Sequence, residues 1–256
     1  MWEYITKNIV IYGLIVCTII LIIVLALLYS NPTVAVLGYH DFGKDVDDSN
    51  TFVLNIGKFE EQLKYLKKHH YKTLTLDEFY EYKQNKKKFP YKCVLITMDD
   101  GYQSNYELAF PLLKKYNMNA TVFCVGKNAE EGCAGYMSKE TLKKVKEEYP
   151  NIDIASHSYN LHEKGAYNVG KDELREDFSK CKNVIQTEYL AYPFGDYNEN
   201  FVEVLKENNF KLAFTFGPGK EHRKAKHSDS NYRIPRLCIS SNMPMWKFAI
   251  RIALPY

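Results

Sequence analysis

The sequence predicts an α/β fold, a (β/α) barrel of seven or eight units behind a single membrane-crossing helix. Three observations predict it. An uncharged apolar run occupies the N-terminus, strand and helix patterns then alternate, and the chemically capable side chains follow the strand ends. Alternation of this kind builds a parallel sheet, open or closed. In a barrel the chemistry gathers on the loops after the strands.

The apolar run comes first. No charged side chain lies between Asn8 and Tyr39, and Ile9 to Tyr29 reads IVIYGLIVCTIILIIVLALLY. About 21 residues of helix cross a hydrocarbon core of roughly 30 Å, and a soluble core helix would show a polar face, which this run lacks. It ends in Leu-Tyr-Ser-Asn-Pro, a poor site for a signal peptidase, so an uncleaved anchor is expected. Lys7 before the run favours an inside N-terminus, with Glu3 diluting that signal. The expected organisation is residues 1–8 cytoplasmic, 9–30 a transmembrane anchor and 31–256 an extracellular domain held at the cell membrane.

After Pro32 the elements follow in order. Val34 to Leu37 reads as a strand ending at Gly38-Tyr39-His40, and Phe59, Leu63 and Leu66 space out one helix face. Asp77 is the expected cap of a short helix, Glu78 to Lys83. Cys93 to Met98 is an apolar strand. Glu107 to Tyr116 is helical, with Pro111 kinking it or lying in its first turn. Ala120 to Val125 is strand, Thr141 to Tyr149 helix, Ile152 to Ala155 strand and Lys171 to Thr187 an amphipathic helix. Glu188 to Tyr192 is strand, Glu199 to Asn208 helix, Leu212 to Phe216 strand, and Arg233 to Ile239 a last strand-like run.

Composition removes several function classes. A net charge of +3 with scattered lysines gives no footing for nucleic acid, and Lys86-Lys87-Lys88 reads as a solvated loop. The six cysteines, Cys17, Cys93, Cys124, Cys133, Cys181 and Cys238, show no CxxC spacing, which excludes a zinc-cysteine site and assigns no disulfide. The 21 tyrosines are suited to stacking on sugar rings when exposed, and equally to core and rim positions. No protein partner is identifiable.

The chemistry begins at TMDDG, Thr97 to Gly101, where two carboxylates follow a core strand. Capping of the next helix would explain one of them. Two in one cleft repel, so a metal, a cation or a shared proton must separate their roles. ASHSYNLH, Ala155 to His162, supplies two histidines five residues apart, after another strand. Neutral imidazoles suit zinc and other first-row divalent ions. Two histidines and one carboxylate leave coordination positions open, as a catalytic metal needs, and leave the other carboxylate free as a base. His40 and Pro193-Phe194-Gly195 also follow strands, on the same expected face. His69, His70, His222 and His227 lie in less informative surroundings.

TMDDG, SHSYNLH and AYPFG together resemble the polysaccharide deacetylases of the NodB-homology type, carbohydrate esterase family four, over roughly residues 34–240. The resemblance implies a distorted (β/α)7–8 barrel of NodB type. It implies Asp99 as catalytic base and Asp100, His157 and His162 as metal ligands, with Zn²⁺ first and Co²⁺, Ni²⁺ or Fe²⁺ as other suitable ions. It also implies a substrate-binding third motif, Tyr192, Pro193, Phe194 and Gly195. Three departures resemble one branch, the de-N-acetylases of poly-N-acetylglucosamine in biofilm matrix. The histidine spacing is five rather than four. Ala191 replaces the third motif's arginine, leaving Arg236 as the candidate to orient Asp99. The family's late Leu-x-His is missing, and LGYHDF instead implies His40 as general acid in a circularly permuted barrel. The implied partner is an extracellular N-acetylglucosamine polysaccharide. A peptidoglycan or chitin-type deacetylase is the rival within the class, and an inactive polysaccharide-binding protein the rival outside it.

Overall fold

A computed structural model describes residues 2–30, 33–46, 49–85, 88–164, 169–216 and 223–254. Asn31, Pro32, Lys86, Lys87 and His222, singled out above, lie outside the described residues. Helix α1 (Trp2–Ser30) contains a span, Thr6–Val24, long and apolar enough to cross a membrane, with none of it buried. Strand β1 (Ala35–Tyr39) follows. A short parallel pair, β2 (Asp41–Gly43) and β3 (Val53–Asn55), leads into α2 (Ile56–Lys68). Strand β4 (Lys72–Thr73) and α3 (Leu76–Gln84) come next. The cap of α3 is Thr75, which makes a reciprocal capping box with Glu78. Asp77, the expected cap, lies in the first turn and accepts the Tyr189 hydroxyl instead.

Strand β5 (Cys93–Met98) precedes a π-helical turn, Asn105–Ala109, and α4 (Phe110–Tyr116). Pro111 sits in the first turn of α4, directly after the π-helical turn. The alternation continues through β6 (Ala120–Cys124), α5 (Gly126–Glu131), α6 (Lys139–Glu148), β7 (Ile152–Ser156), α7 (Leu161–Lys164) and α8 (Lys171–Val184). It ends with β8 (Tyr189–Ala191), α9 (Glu199–Glu207), β9 (Leu212–Phe214), β10 (Leu237–Cys238) and α10 (Met245–Ala253).

All pairings of the main sheet are parallel, in the order β10-β1-β5-β6-β7-β8-β9, with β4 also on β5. The last run joins the two edges. Ile234 bridges Phe214 of β9, and three residues later Leu237 and Cys238 pair with Leu37 and Gly38 of β1. The expected seven- or eight-strand barrel is therefore the observed architecture.

β1, β5 and β6 are buried along their whole length, the pattern of parallel strands covered on both faces. Side chains alternate between two cores. Val36, Leu95, Phe123, Phe214 and Ile234 fill the barrel, while Leu37, Ile96 and Val122 meet Phe59, Leu63 and Phe110 of the surrounding helices. Parallel strands also place every strand end at one mouth.

Candidate metal centre and catalytic cleft

β5 ends at Met98, and the chain turns at once. Asp100 (φ +68°) and Gly101 (φ +75°) are both left-handed. Gly101 also lies against β6, where a Cβ would approach Cys124 Sγ to 2.8 Å and its Cα to 3.2 Å. A left-handed aspartate is a strained residue of the kind that collects at functional sites. Its effect is to bring two neighbouring carboxylates, which a regular strand would send to opposite faces, to one cleft of about 830 Å³. Phe52, Tyr102, Tyr136 and Phe194 are among the cleft's other lining residues.

The two carboxylates face different company. Asp99 is buried, and Arg236 donates from Nη1 and Nη2 to its two oxygens at 2.7 Å each. Arg236 is itself held by Thr215 O (3.0 Å), Thr97 Oγ1 (3.2 Å) and the Phe216 ring, 4.8 Å from its guanidinium carbon. Asp100 faces histidines instead. Its Oδ1 lies 3.4 Å from His157 Nε2 and 3.2 Å from His162 Nε2. His40 Nε2 stands 4.0 Å from Asp99 Oδ2, its ring between Phe52 (4.7 Å) and Phe216 (5.1 Å).

The His157–His162 loop is tied down by groups away from the cleft. Ser158 is left-handed (φ +67°), and its hydroxyl accepts from Leu161 N at 3.0 Å. Asp177 of α8 accepts from Tyr159 N and Asn160 N, both at 2.8 Å. His157 Nδ1 donates to Ala191 O at 2.8 Å, which fixes the tautomer and leaves Nε2 with its lone pair toward Asp100.

The third motif divides. Of Tyr192, Pro193, Phe194 and Gly195, the structure presents only the Phe194 side chain to the cleft, 57% exposed and 4.7 Å from the His162 ring. For side chains, the expectation that all four meet substrate narrows to Phe194. Tyr192 turns inward at the strand end, packs on Tyr197 and Phe201 and donates its hydroxyl to Tyr232 O at 3.0 Å. Pro193 is buried, and Gly195 (φ +72°) passes so close to the chain that a Cβ would meet Phe216 O at 1.5 Å.

A sequence profile described as polysaccharide deacetylase matches residues 86–213. The poly-beta-1,6-N-acetyl-D-glucosamine N-deacetylase of Staphylococcus epidermidis is 34% identical over 200 residues, covering 72% of this chain and 67% of the relative. The chain belongs to the polysaccharide deacetylase family. It is with that family a hydrolase. The N-deacetylase of the same description from Staphylococcus aureus is 31% identical over 199 residues, covering 72% of this chain and 67% of the relative. Among solved structures, IcaB from Ammonifex degensii superposes with a TM-score of 0.72 at 25% identity, over 86% of this chain and 97% of that one. The deacetylase PplD from Streptococcus pyogenes shares the fold, with a TM-score of 0.75 at 23% identity, over 87% and 99% of the two chains.

In this deacetylase, Asp100, His157 and His162 form a possible metal site, the one such group among the described residues, with ligand atoms within 4.8 Å of one another. The donor chemistry fits a divalent ion. His162 Nε2 is buried and makes no hydrogen bond, although a carboxylate oxygen lies beside it. The His157 Nε2 lone pair, the His162 Nε2 and the Asp100 carboxylate converge on one point of the cleft. Burial lowers the His157 pKa to about 4, so the ring is neutral at physiological pH, as a ligand must be. Burial alone would raise Asp99, but Arg236 foremost, then His157 and His40, hold it well below the usual carboxylate range. Asp100 is also lowered: its burial is outweighed by His162 and His157 beside it. Burial lowers His40, with Asp99 and Asp100 opposing.

Four supporting residues escaped the sequence reading. Asp177 was detectable, as an acid on the apolar face that Leu174, Phe178 and Cys181 define. Phe52 and Asn105 sit on a loop and in an irregular turn and carried no periodic signal, while Phe216, read as the end of a strand, lies just past β9.

Proposed function

We propose that this protein is a metal-dependent de-N-acetylase of an extracellular N-acetylglucosamine polymer, releasing acetate and leaving a free amine on the sugar. Asp100, His157 and His162 would hold the ion, Zn²⁺ in the first instance. When bound, it would polarise the acetamide carbonyl and stabilise the charge that develops on its oxygen. Asp99 takes a proton from the attacking water. Arg236 holds that carboxylate in one orientation and keeps it ionised beforehand. His40, whose Nε2 stands 4.0 Å from Asp99 Oδ2, gives a proton to the departing nitrogen, so that an amine leaves in place of an amide anion. Phe194 offers an exposed ring on which a sugar can stack. The chain is anchored by residues 9–30, with the domain from 31 onward outside the cell.

One observation carries the reading: the two adjacent aspartates have different partners, Asp100 two imidazole nitrogens and Asp99 a bidentate arginine. A protein that only bound polysaccharide would have no use for an oriented base beside a ligand set. The relatives' activity on poly-β-1,6-N-acetylglucosamine supports that polymer as substrate.

The test is acetate release by the full-length protein in detergent. β-1,6-linked N-acetylglucosamine oligomers, chitin oligomers and peptidoglycan are compared, after chelation and after return of Zn²⁺, Co²⁺, Ni²⁺ or Fe²⁺. Metal-restored release from the β-1,6-linked oligomers is expected. Polymer binding without acetate release under every metal would reduce the protein to a binder.

A further inference from the structure

The π-helical turn Asn105–Ala109 has a local cause. Pro111 cannot donate to the carbonyl of residue 107, and its ring would clash there in a continuous α-helix. The wider turn avoids the conflict, with Phe110 N bonding Asn105 O. Single π turns of this kind are frequent at functional sites. Here the turn leaves Asn105 with no exposure, at the strand-end mouth of the barrel.

The Asn105 side chain then reaches across to a segment 65 residues earlier. Its Nδ2 donates to the backbone carbonyl of His40 at 2.8 Å. Its Oδ1 is buried with no hydrogen-bond partner. Reversing the amide would set oxygen against oxygen, so the orientation is forced. An unpaired buried carbonyl costs on the order of 1–3 kcal/mol. One carbonyl is satisfied while another is left unpaired, so stability alone gives little reason for an asparagine here.

Ser104 adds a second fastening to the same segment. Its hydroxyl donates to Asp41 Oδ1 at 2.5 Å and accepts from Phe42 N at 3.1 Å. Residues 104 and 105 thus hold His40, Asp41 and Phe42 in succession. Tyr39, just before them, accepts from the Asp99 amide at 2.9 Å. The His40 backbone is thereby referenced to the strand end that carries Asp99, while Phe52 and Phe216 confine the ring.

We infer that Asn105 is a positioning residue for His40: its amide fixes the His40 backbone so that the imidazole stands over the leaving nitrogen. This rests on the reading of His40 as proton donor. It separates a role in proton delivery from a role in folding, because only the former depends on what the substrate must release.

The experiment uses full-length Asn105→Ala, His40→Ala and the double variant in detergent. Each is assayed on an N-acetylglucosamine oligomer and on an aryl acetate ester, whose leaving group needs no proton, with metal content and Tm alongside. Asn105→Ala should lose amide kcat on the order of 10- to 100-fold, as for a misplaced catalytic group. Its ester kcat, KM and metal content should stay near those of the parent. In the His40→Ala background it should remove nothing further. If Asn105→Ala does not fold, Asn105→Ser, too short to reach the carbonyl, is read the same way. Equal losses on amide and ester, unchanged amide turnover, loss of metal, or full additivity with His40→Ala would each overturn the assignment. Equal losses in His40→Ala alone would instead overturn the reading of His40.

Discussion

Arg236 grips both carboxylate oxygens of Asp99 at 2.7 Å, across 137 positions of sequence. It comes from the run that closes the barrel between β9 and β1, so closing the fold and orienting the acid are one structural event. Arg236→Lys keeps the charge but loses the planar fork. It should retain bound metal while kcat falls on the order of 10- to 100-fold. Arg236→Met leaves a buried carboxylate unpaired and should cost about 3–5 kcal/mol at neutral pH. Asp99 has a folded pKa below its unfolded value of about 3.9. The pair's stabilisation is therefore present above that pH and lost as the pH falls through the folded value. Denaturant titrations should show parent and Arg236→Met converging below about pH 4. A constant gap down to low pH would refute the ion pair as its source.

The aspartates should separate by metal analysis. Asp100→Ala, His157→Ala and His162→Ala should each lose bound ion and turnover together. Asp99→Asn should keep the ion and lose turnover by about 10²-fold or more. An Asp99→Asn protein without metal, beside an Asp100→Ala protein with it, would exchange their roles.

Phe194 and Gly195 are adjacent but should fail differently. Gly195→Ala puts a methyl into the space of Phe216 O, and the displaced Phe216 flanks both Arg236 and His40. It should destabilise by at least about 2 kcal/mol and abolish activity. Phe194→Gly relieves a left-handed residue (φ +57°) and removes an exposed ring. Its stability should stay within about 0.5 kcal/mol of the parent, while KM for polymer rises by up to about 10-fold. Calorimetry and steady-state kinetics on the pair check both statements.

The fold was legible where strands are buried on both faces, because β1, β5 and β6 read as unbroken apolar runs. The candidate site was legible because chemistry at strand ends stands out against such runs. The side of a turn to which a residue points was not legible. Tyr192 and Phe194 share one motif, yet one ring fills the core and the other meets solvent. Spacing also cannot show a π turn, whose one-residue shift comes from Pro111 and places Asn105. Helix α10 was missed because it is apolar on two sides, with Phe248 and Ile252 buried but Trp246 and Ile250 exposed. Arg236 was nameable, but its fork on Asp99 depends on long-range closure that no local pattern encodes.

The last prediction concerns the anchor and the direction of the cleft. Helix α1 ends at Ser30 and β1 begins at Ala35. Four intervening residues span at most about 14 Å, so the barrel end where β1 starts must sit near the membrane if residues 9–30 cross it. Asp99, Asp100, His157 and His40 lie at the other end of parallel strands. A five-residue strand is about 17 Å long, so under that anchoring the cleft would open away from the lipid. The domain from Thr33 should fold without the helix, since the barrel's cores are made by residues from Val34 onward. Released, it should deacetylate soluble oligomers like the parent, but act more slowly on polymer held at the cell surface. Cells carrying the full chain with a reporter after Tyr256 should expose that reporter to external protease. A protected reporter would reverse the topology, and a truncated domain that is insoluble across several start points would remove the boundary at residue 33.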